Sequence, residues 1–259
     1  MTGRLAERYI AVTGAAQGIG LAIARDFAGE EADLFLVDMD APRLAEAVEA
    51  LKAQFPARTI LSAVADLTDK PRVAEVFAEA GRDRVLDGLV NNAGVNVFHD
   101  PLETSDEEWR RCFAINVEGA WACSRAVLPG MIRKGHGVIL NIASTHSFTI
   151  IPGTFPYPVA KHALMGLTKS LGLEYAGKGI RVNAIAPGYV ATQKVLDWWE
   201  SAPDPNAARE ATLALHPQHR IATPEEIARA AVFMISDECP FMTATCLTID
   251  GGLSVRQHA

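Results

Sequence analysis

The chain predicts an α/β fold: a doubly wound, seven-stranded, mainly parallel sheet with helices on both faces. Three observations predict it. Short runs rich in β-branched residues recur from Tyr9–Thr13 to Cys246–Ile249, and most are apolar throughout, as strands covered on both faces are. Between them lie stretches of helical periodicity, and strand alternating with helix is the pattern of a parallel sheet. A glycine-rich turn follows the first run directly.

In chain order, the strands are expected at Tyr9–Thr13, Leu34–Asp38, Thr59–Val64, Leu86–Asn91, Val138–Ile142, Arg181–Ala186 and Cys246–Ile249. The helices between them fall at Leu21–Ala28, Pro42–Gln54, Lys70–Ala80, Asp106–Ile132 and Ala160–Ala176. Leu44, Val48 and Leu51 show the three- and four-residue spacing of an amphipathic helix. Segment 188–220, with Pro203, Pro205, Pro217 and the pair Trp198–Trp199, reads as an irregular substrate-binding lid, since structureless connections of that length are usually functional. No linker, repeat or low-complexity tract divides the chain, so residues 1–259 are expected to form a single domain.

Composition bounds the function. At 259 residues the chain suits one large domain or two small ones. With 49% hydrophobic and 21% charged residues, it is neither disordered nor fibrous. A net charge of −7 argues against nucleic acid or an anionic membrane as partner. Cys112, Cys123, Cys239 and Cys246 form no C-x-x-C pair, which suits small buried hydrophobes in a reducing compartment. No apolar run reaches the length of a membrane span or a signal-peptide core, so a cytoplasmic location is expected. No metal site is expected either: His216 and His219 form the one close histidine pair, Pro217 interrupts it, and no H-E-x-x-H occurs.

The turn Thr13-Gly14-Ala15-Ala16-Gln17-Gly18-Ile19-Gly20 has the spacing G-x-x-x-G-x-G. Glycines allow a sharp turn and close approach of a pyrophosphate to a helix N-terminus, where free N–H groups favour anions. Asp38 closes the second strand, twenty positions beyond Gly18, where a carboxylate accepts from the ribose hydroxyls of an adenine dinucleotide. A 2′-phosphate would meet that carboxylate, and Ala15, Ala16 and Met39 bring no positive charge, so NAD is expected in preference to NADP.

Ser144 lies thirteen residues before Tyr157, and Lys161 four after it. On a helix, Tyr157 and Lys161 share a face one turn apart. Lys161 can then lower the pKa of the phenol, ordinarily near 10. Tyr157 becomes a general base for a substrate hydroxyl, with Ser144 hydrogen-bonding the same oxygen.

With these motifs in place, the sequence resembles the short-chain dehydrogenase/reductase family. Thr13–Gly20, Asp38, Asp66-Leu67, Asn91-Asn92-Ala93-Gly94, Asn116, Ser144, Tyr157-x-x-x-Lys161 and Pro187-Gly188 carry the resemblance along nearly the whole chain. It implies a Rossmann-type fold, a catalytic tetrad of Asn116, Ser144, Tyr157 and Lys161, and cofactor contacts from Gly14, Gln17, Gly18, Ile19 and Gly20. Asp66 and Leu67 would meet the adenine, Asn92, Ala93 and Gly94 would line the adenosine side, and Lys161 would hold the nicotinamide ribose. Asn116 would hold a water linking Lys161 to solvent. Pro187, Gly188, Val190 and Thr192 would embrace the carboxamide. The resemblance also implies a homotetramer built on the helices near Asp106–Ile132 and Tyr157–Ala176, with the tail from Gly251 to Ala259 reaching a neighbour. Ala160 departs from the family's usual Ser or Thr.

Residues just beyond the strand ends would line the substrate pocket: Asn96, His146, Ser147, Tyr189, Gln193 and the Trp198–Trp199 lid, with Ser144 and Tyr157 at the reacting oxygen. Unpaired Asn, His and Gln against an apolar ligand would cost about 1–3 kcal/mol each, so a polyhydroxylated ligand fits better. Segments 144–161 and 188–199 are similar to bacterial aldose 1-dehydrogenases, which implies a monosaccharide oxidised at its anomeric hydroxyl to a lactone. Two other oxidoreductase readings stay open, a non-sugar secondary alcohol dehydrogenase and a 3-oxoacyl reductase. A non-catalytic NAD sensor is a further alternative; it would have no use for the proton relay.

Overall fold

The computed structural model describes residues 2–256. Seven parallel strands form one sheet: β1 (Tyr9–Thr13), β2 (Asp33–Asp38), β3 (Ile60–Val64), β4 (Gly88–Asn91), β6 (Gly137–Ile142), β8 (Ile180–Pro187) and β9 (Cys246–Ile249), in spatial order β3-β2-β1-β4-β6-β8-β9. A separate antiparallel pair joins β5 (Phe98–His99) to β7 (Phe155–Pro156). Sequence order reverses between β1 and β4, where the chain crosses to the other half of the sheet. Doubly wound sheets bind ligands at such a point, beyond the carboxyl ends of the strands.

The continuous apolar strands have a physical reason. Ile10, Val12, Leu34, Leu36, Val138 and Leu140 pack into a core on one face of the sheet. Their neighbours Tyr9, Ala11, Phe35, Val37 and Ile139 pack into a second core on the other. Alternate side chains thus enter two dry layers, so both must be apolar. The first layer is covered by α1 (Gly18–Gly29), α2 (Ala41–Gln54) and α9 (Pro224–Ile235), the second by α3 (Lys70–Ala80), α5 (Ala120–Lys134) and α6 (Tyr157–Tyr175). Phe27 of α1 is fully buried, and truncation to Ala there would cost about 3–5 kcal/mol.

Helix starts follow local chemistry. Asp40 and Asp69 cap α2 and α3 by accepting from Arg43 and Arg72 N–H. Ser105 with Glu108, and Thr223 with Glu226, form capping boxes at α4 (Asp106–Phe113) and α9.

Three expectations change. The single helix expected at Asp106–Ile132 is α4, a π-helical stretch Ala114–Gly119, and α5. Segment 188–220 is not structureless, since it folds into α7 (Gln193–Ser201) and α8 (Pro205–Leu215). One of its prolines is a helix starter: Pro205 opens α8 behind the capping carboxylate of Asp204. Helix α9 escaped the sequence reading, although Thr223-Pro224-Glu225-Glu226 followed by Ile227, Ala231, Val232 and Ile235 is a capped amphipathic pattern. Of the tail expected to reach a neighbour, residues 257–259 lie outside the described residues.

Two glycines make opposite predictions. A Cβ on Gly20 would lie 2.1 Å from the Gly14 carbonyl oxygen, whereas one on Gly166 in α6 would meet nothing within 4 Å. Gly20→Ala should destabilise the fold by at least about 3 kcal/mol, and Gly166→Ala should stabilise it by about 0.5–1 kcal/mol. Urea denaturation reads both; equal stability of Gly20→Ala and the parent would refute the packing.

Candidate active site

Two adjoining cavities open over the carboxyl ends of the strands. The larger, about 570 Å³, is lined by Gly14, Gln17, Gly18, Asp38, Asp66, Leu67, Asn92, Ala93, Gly94 and Thr192 among others. The smaller, about 280 Å³, is lined by Ile19, Asn96, Asn116, Ser144, His146, Tyr157, Lys161, Pro187, Gly188, Tyr189 and Val190 among others. Asn92, Gly94, Thr192 and Lys194 border both, so the two form one cleft.

The larger cavity is shaped for a dinucleotide. Gly14 and Gly18 hold φ of 63° and 57°, the left-handed region that favours glycine. Gln17 precedes α1 without a side-chain cap, and the first turn carries no acid. The N–H groups of that turn therefore point unpaired at the cavity, as a pyrophosphate requires. Asn92 holds the turn in place: its Nδ2 donates to the Thr13 and Gly14 carbonyls, each at 3.0 Å. Thr13 Oγ1 accepts from Asn92 N and Ala93 N, each at 3.1 Å. Gly20 lines neither cavity and packs beneath the turn.

Asp38 stands at the end of β2. Its carboxylate accepts from Ala16 N and Asp40 N, both at 3.0 Å, which leaves one lone pair on each oxygen for a ribose. The sequence reading found no positive charge here, and that is corrected: Arg43 donates to Gln17 Oε1 at 3.1 Å and lies 3.6 Å from Asp40 Oδ2. The first turn of α2 carries that guanidinium back to the glycine turn, a proximity that spacing along the chain does not reveal. Asp66 is exposed and accepts from Thr68 N at 2.8 Å; Leu67 beside it is buried.

In the smaller cavity Tyr157 opens α6 and Lys161 follows one turn later, its Nζ 5.5 Å from the tyrosine ring centroid. Lys161 is buried and donates to the Ile142 carbonyl at 2.8 Å. Burial lowers its pKa to about 8. Burial also raises the Tyr157 pKa above its ordinary value, and the Ser144 hydroxyl pulls it back down. Desolvation is therefore the largest influence on the phenol, and its direction is opposite to the lowering by Lys161 that the sequence suggested.

Asn116 is buried in the π-helical stretch, with Nδ2 donating to the Val95 and Cys112 carbonyls, each at 2.9 Å. Its Oδ1 accepts from Val95 N at 3.3 Å. A π-helical turn often marks a functional site, and here it turns the amide toward the loop after β4. Ser144 accepts from His146 N at 3.2 Å. The His146 ring is buried, which lowers its pKa, and it meets Tyr157 edge-on with centroids 5.7 Å apart. Ser147 is buried and donates to the Lys161 carbonyl at 3.0 Å, so it holds α6 and does not line the cavity.

Other assignments to the substrate wall change. Gln193 borders the larger cavity and donates to Asp197 at 2.8 Å, so it is not brought to the Ser144–Tyr157–Lys161 cluster. Trp198 stacks on Tyr189 with centroids 6.4 Å apart and lies outside the cavity lining. Trp199 is buried and donates to Thr212 Oγ1 at 3.1 Å, joining α7 to α8. His216 is buried; its Nε2 accepts from Tyr189 N at 3.4 Å, so Nδ1 carries the proton donated to the Thr212 carbonyl at 3.0 Å. Phe98 and Lys194 line the wall unforeseen. Phe98 arrives through the β5–β7 pair and meets Tyr157 edge-on at 5.4 Å.

A glycine cradle at the switch point of a doubly wound sheet, opening onto a Ser–Tyr–Lys cluster, defines an oxidoreductase that binds a nicotinamide dinucleotide. Residues 14–254 match the family described as Enoyl-(Acyl carrier protein) reductase. The chain is 41% identical to galactitol 2-dehydrogenase (L-tagatose-forming) of Cereibacter sphaeroides, over 97% of each chain. Among solved structures, L-sorbose reductase from Gluconobacter frateurii, complexed with NADPH and L-sorbose, superposes with a TM-score of 0.94. It is 31% identical, over 99% of this chain and 100% of that one. A protein from Beutenbergia cavernae described as an NAD(P) dependent gluconate 5-dehydrogenase, with bound NADP, gives 0.91 at 34% identity, over 97% and 98%. The chain belongs to the short-chain dehydrogenase/reductase family.

Asn92→Asp would set a carboxylate against two carbonyl oxygens. It should lower stability by about 2–3 kcal/mol and weaken dinucleotide binding about tenfold. Calorimetry and denaturation measure the two losses; an unchanged affinity would rule out Asn92 as the support of the turn.

Proposed function

We propose that the protein is an NAD-linked dehydrogenase acting on a hydroxyl of a monosaccharide-sized, polyhydroxylated substrate. The observation that carries the proposal is the grouping of Ser144, Tyr157 and Lys161 on a 280 Å³ cavity continuous with the dinucleotide cradle. That volume suits a sugar or its alditol, and Asn96, His146, Ser144 and Thr145 offer polar groups around it. The aldose reading, oxidation at the anomeric hydroxyl to a lactone, draws on this lining. A second reading, oxidation of a secondary hydroxyl on an open-chain polyol, is favoured by the identity to galactitol 2-dehydrogenase.

The roles follow from the positions. The glycine turn with Gln17 and the α1 N-terminus would hold the pyrophosphate, and Asp38 the adenosine ribose. Asp66, Leu67, Ala93 and Gly94 would bracket the adenine side. Pro187, Gly188, Val190, Thr192 and Ile19 would hold the nicotinamide end. A nicotinamide held there would supply the hydride acceptor for the carbinol carbon. Tyr157 takes the hydroxyl proton at its phenolate oxygen, while Ser144 donates to that substrate oxygen and keeps it aimed. Lys161, charged below about pH 8, stabilises the phenolate across one helical turn. Asn116, bonded to the Val95 and Cys112 backbone, positions the loop beside Lys161. Asp38 supports NAD over NADP because its charge opposes a 2′-phosphate; Arg43 moderates that opposition.

We place the protein in the cytoplasm, a reading supported by its unpaired cysteines; among the described residues no helix is long and apolar enough to cross a membrane. We propose a homotetramer, supported by exposed Trp121 on α5 and Leu173 on α6.

With NAD and a panel of aldoses and alditols, the parent should form NADH. Tyr157→Phe should lose at least about a thousandfold in kcat and keep its NAD affinity. Oxidation should quicken as pH rises and the phenol ionises, while the reverse reaction slows, and Lys161→Met should shift the rising limb to higher pH. Retained turnover in Tyr157→Phe would exclude it as the base. For the cofactor, Asp38→Ala should narrow the NAD-to-NADP ratio of kcat/KM about tenfold; a constant ratio would remove Asp38 from the selection.

A further inference from the structure

The catalytic cavity carries one cation for which the proposed chemistry has no use. Its lining contains no Asp or Glu, and its charged residues are Lys161 and Lys194, although the chain as a whole has a net charge of −7. Lys161 is engaged with the Ile142 carbonyl and faces the phenol. Lys194, in the first turn of α7, makes no ion pair and no side-chain hydrogen bond among the described residues. The nearest acid on its own helix, Asp197, is taken by Gln193. Desolvation by the surrounding groups and the positive charge of Arg111 on α4 both depress the Lys194 ammonium. The residue as a whole stays exposed at the edge the two cavities share, and an ammonium beside another cation is stabilised by an anion brought alongside it.

We infer that the cavity selects substrates carrying a carboxylate away from the reacting carbinol, polyhydroxy acids over neutral sugars, with Lys194 as the group that pairs with it. The inference rests on the dehydrogenase reading and names its substrate class. A reacting hydroxyl at Ser144 and Tyr157 leaves the rest of the ligand to span the cavity. Asn96 and His146 line the same cavity as Lys194, so hydroxyls and carboxylate each have a partner of matching polarity. Because Lys194 also borders the dinucleotide cavity, the anion it serves is either this carboxylate or the cofactor pyrophosphate. The two make different predictions.

The test compares gluconate with glucitol, which differ only in carboxylate against hydroxymethyl. Binding to the enzyme–NADH complex is measured by calorimetry and turnover with NAD, for the parent and Lys194→Met. Lys52→Met on α2 controls for the substitution itself. Gluconate should bind the parent at least about tenfold more tightly than glucitol, as a charge-assisted hydrogen bond provides, and Lys194→Met should erase that ratio. Equal binding of the two ligands to the parent overturns the inference. So does a ratio that survives in Lys194→Met, or a variant whose defect is confined to NAD affinity, which would assign the lysine to the pyrophosphate. A second pair, 3-hydroxybutyrate and 2-butanol, separates the charge from the sugar. If only this pair binds, and with the same dependence on Lys194, the carboxylate assignment stands and the polyhydroxylated reading falls. If neither acid binds, the carboxylate assignment falls, whatever Tyr157→Phe shows about the base.

Discussion

The structure depends on the close approach of the β1–α1 turn to the end of β4. Two backbones meet there with no room for a side chain: a Cβ on Gly14 would lie 2.9 Å from Ala93 Cα, and one on Gly20 would meet the Gly14 carbonyl. The Asn92 amide and the Thr13 hydroxyl stitch the contact together. Because the two strands are adjacent at the switch point, the stitch also sets the floor of the cleft. It leaves the first N–H groups of α1 facing open space, which is what makes the turn a binding surface and not merely a tight connection.

The Ser144–Tyr157–Lys161 cluster is fastened to that same floor. Gly94 follows the stitched residues, and a side chain on it would meet Asn116 Oδ1 at 2.8 Å. Asn116 is fixed in turn to Val95, and Lys161 is fixed to the end of β6 through Ile142. Helix α6, which carries Tyr157 and Lys161, is held from below by a buried polar chain. Thr168 accepts from Asn141, and Asn141 accepts from Asn91, which also donates to Ser124 on α5. Buried amides are costly unless paired; these bind α5 and α6 to β4 and β6, so the two cavities hold their relative position.

Much of this was legible in the chain because the same residues serve both local structure and site. The central strands were readable since alternate side chains enter two separate cores, leaving no polar face. Gly14, Gly18, Asp38, Ser144 and Tyr157 were readable because each sits at or just beyond a strand end or in the first turn of a helix, and Lys161 because it follows Tyr157 by one turn, so sequence spacing maps directly onto space. What escaped depended on contacts between distant segments. Arg43 reaches the glycine turn across the β2–α2 connection, Phe98 arrives on a two-stranded ribbon, and the π-helical stretch leaves no periodic trace. In segment 188–220 the prolines suggested an irregular lid, whereas Pro205 begins α8. Gln193 and the tryptophans were misassigned because the rotation of α7 about its axis is set by the Trp199–Thr212 contact, which spacing alone does not contain. Lys194, next to Gln193, occupies the wall in its place.

Under the proposed function, the cleft that joins the glycine cradle to Tyr157 would pass the hydrogen on the carbinol carbon directly to the cofactor while the hydroxyl proton leaves separately. The measurement is oxidation of a substrate deuterated at that carbon, in ordinary water, with NMR of the reduced cofactor. Deuterium should appear at one face of the dihydronicotinamide ring carbon, with a slowed turnover. Deuterium lost to solvent, or a reduced cofactor bearing none, would contradict the arrangement.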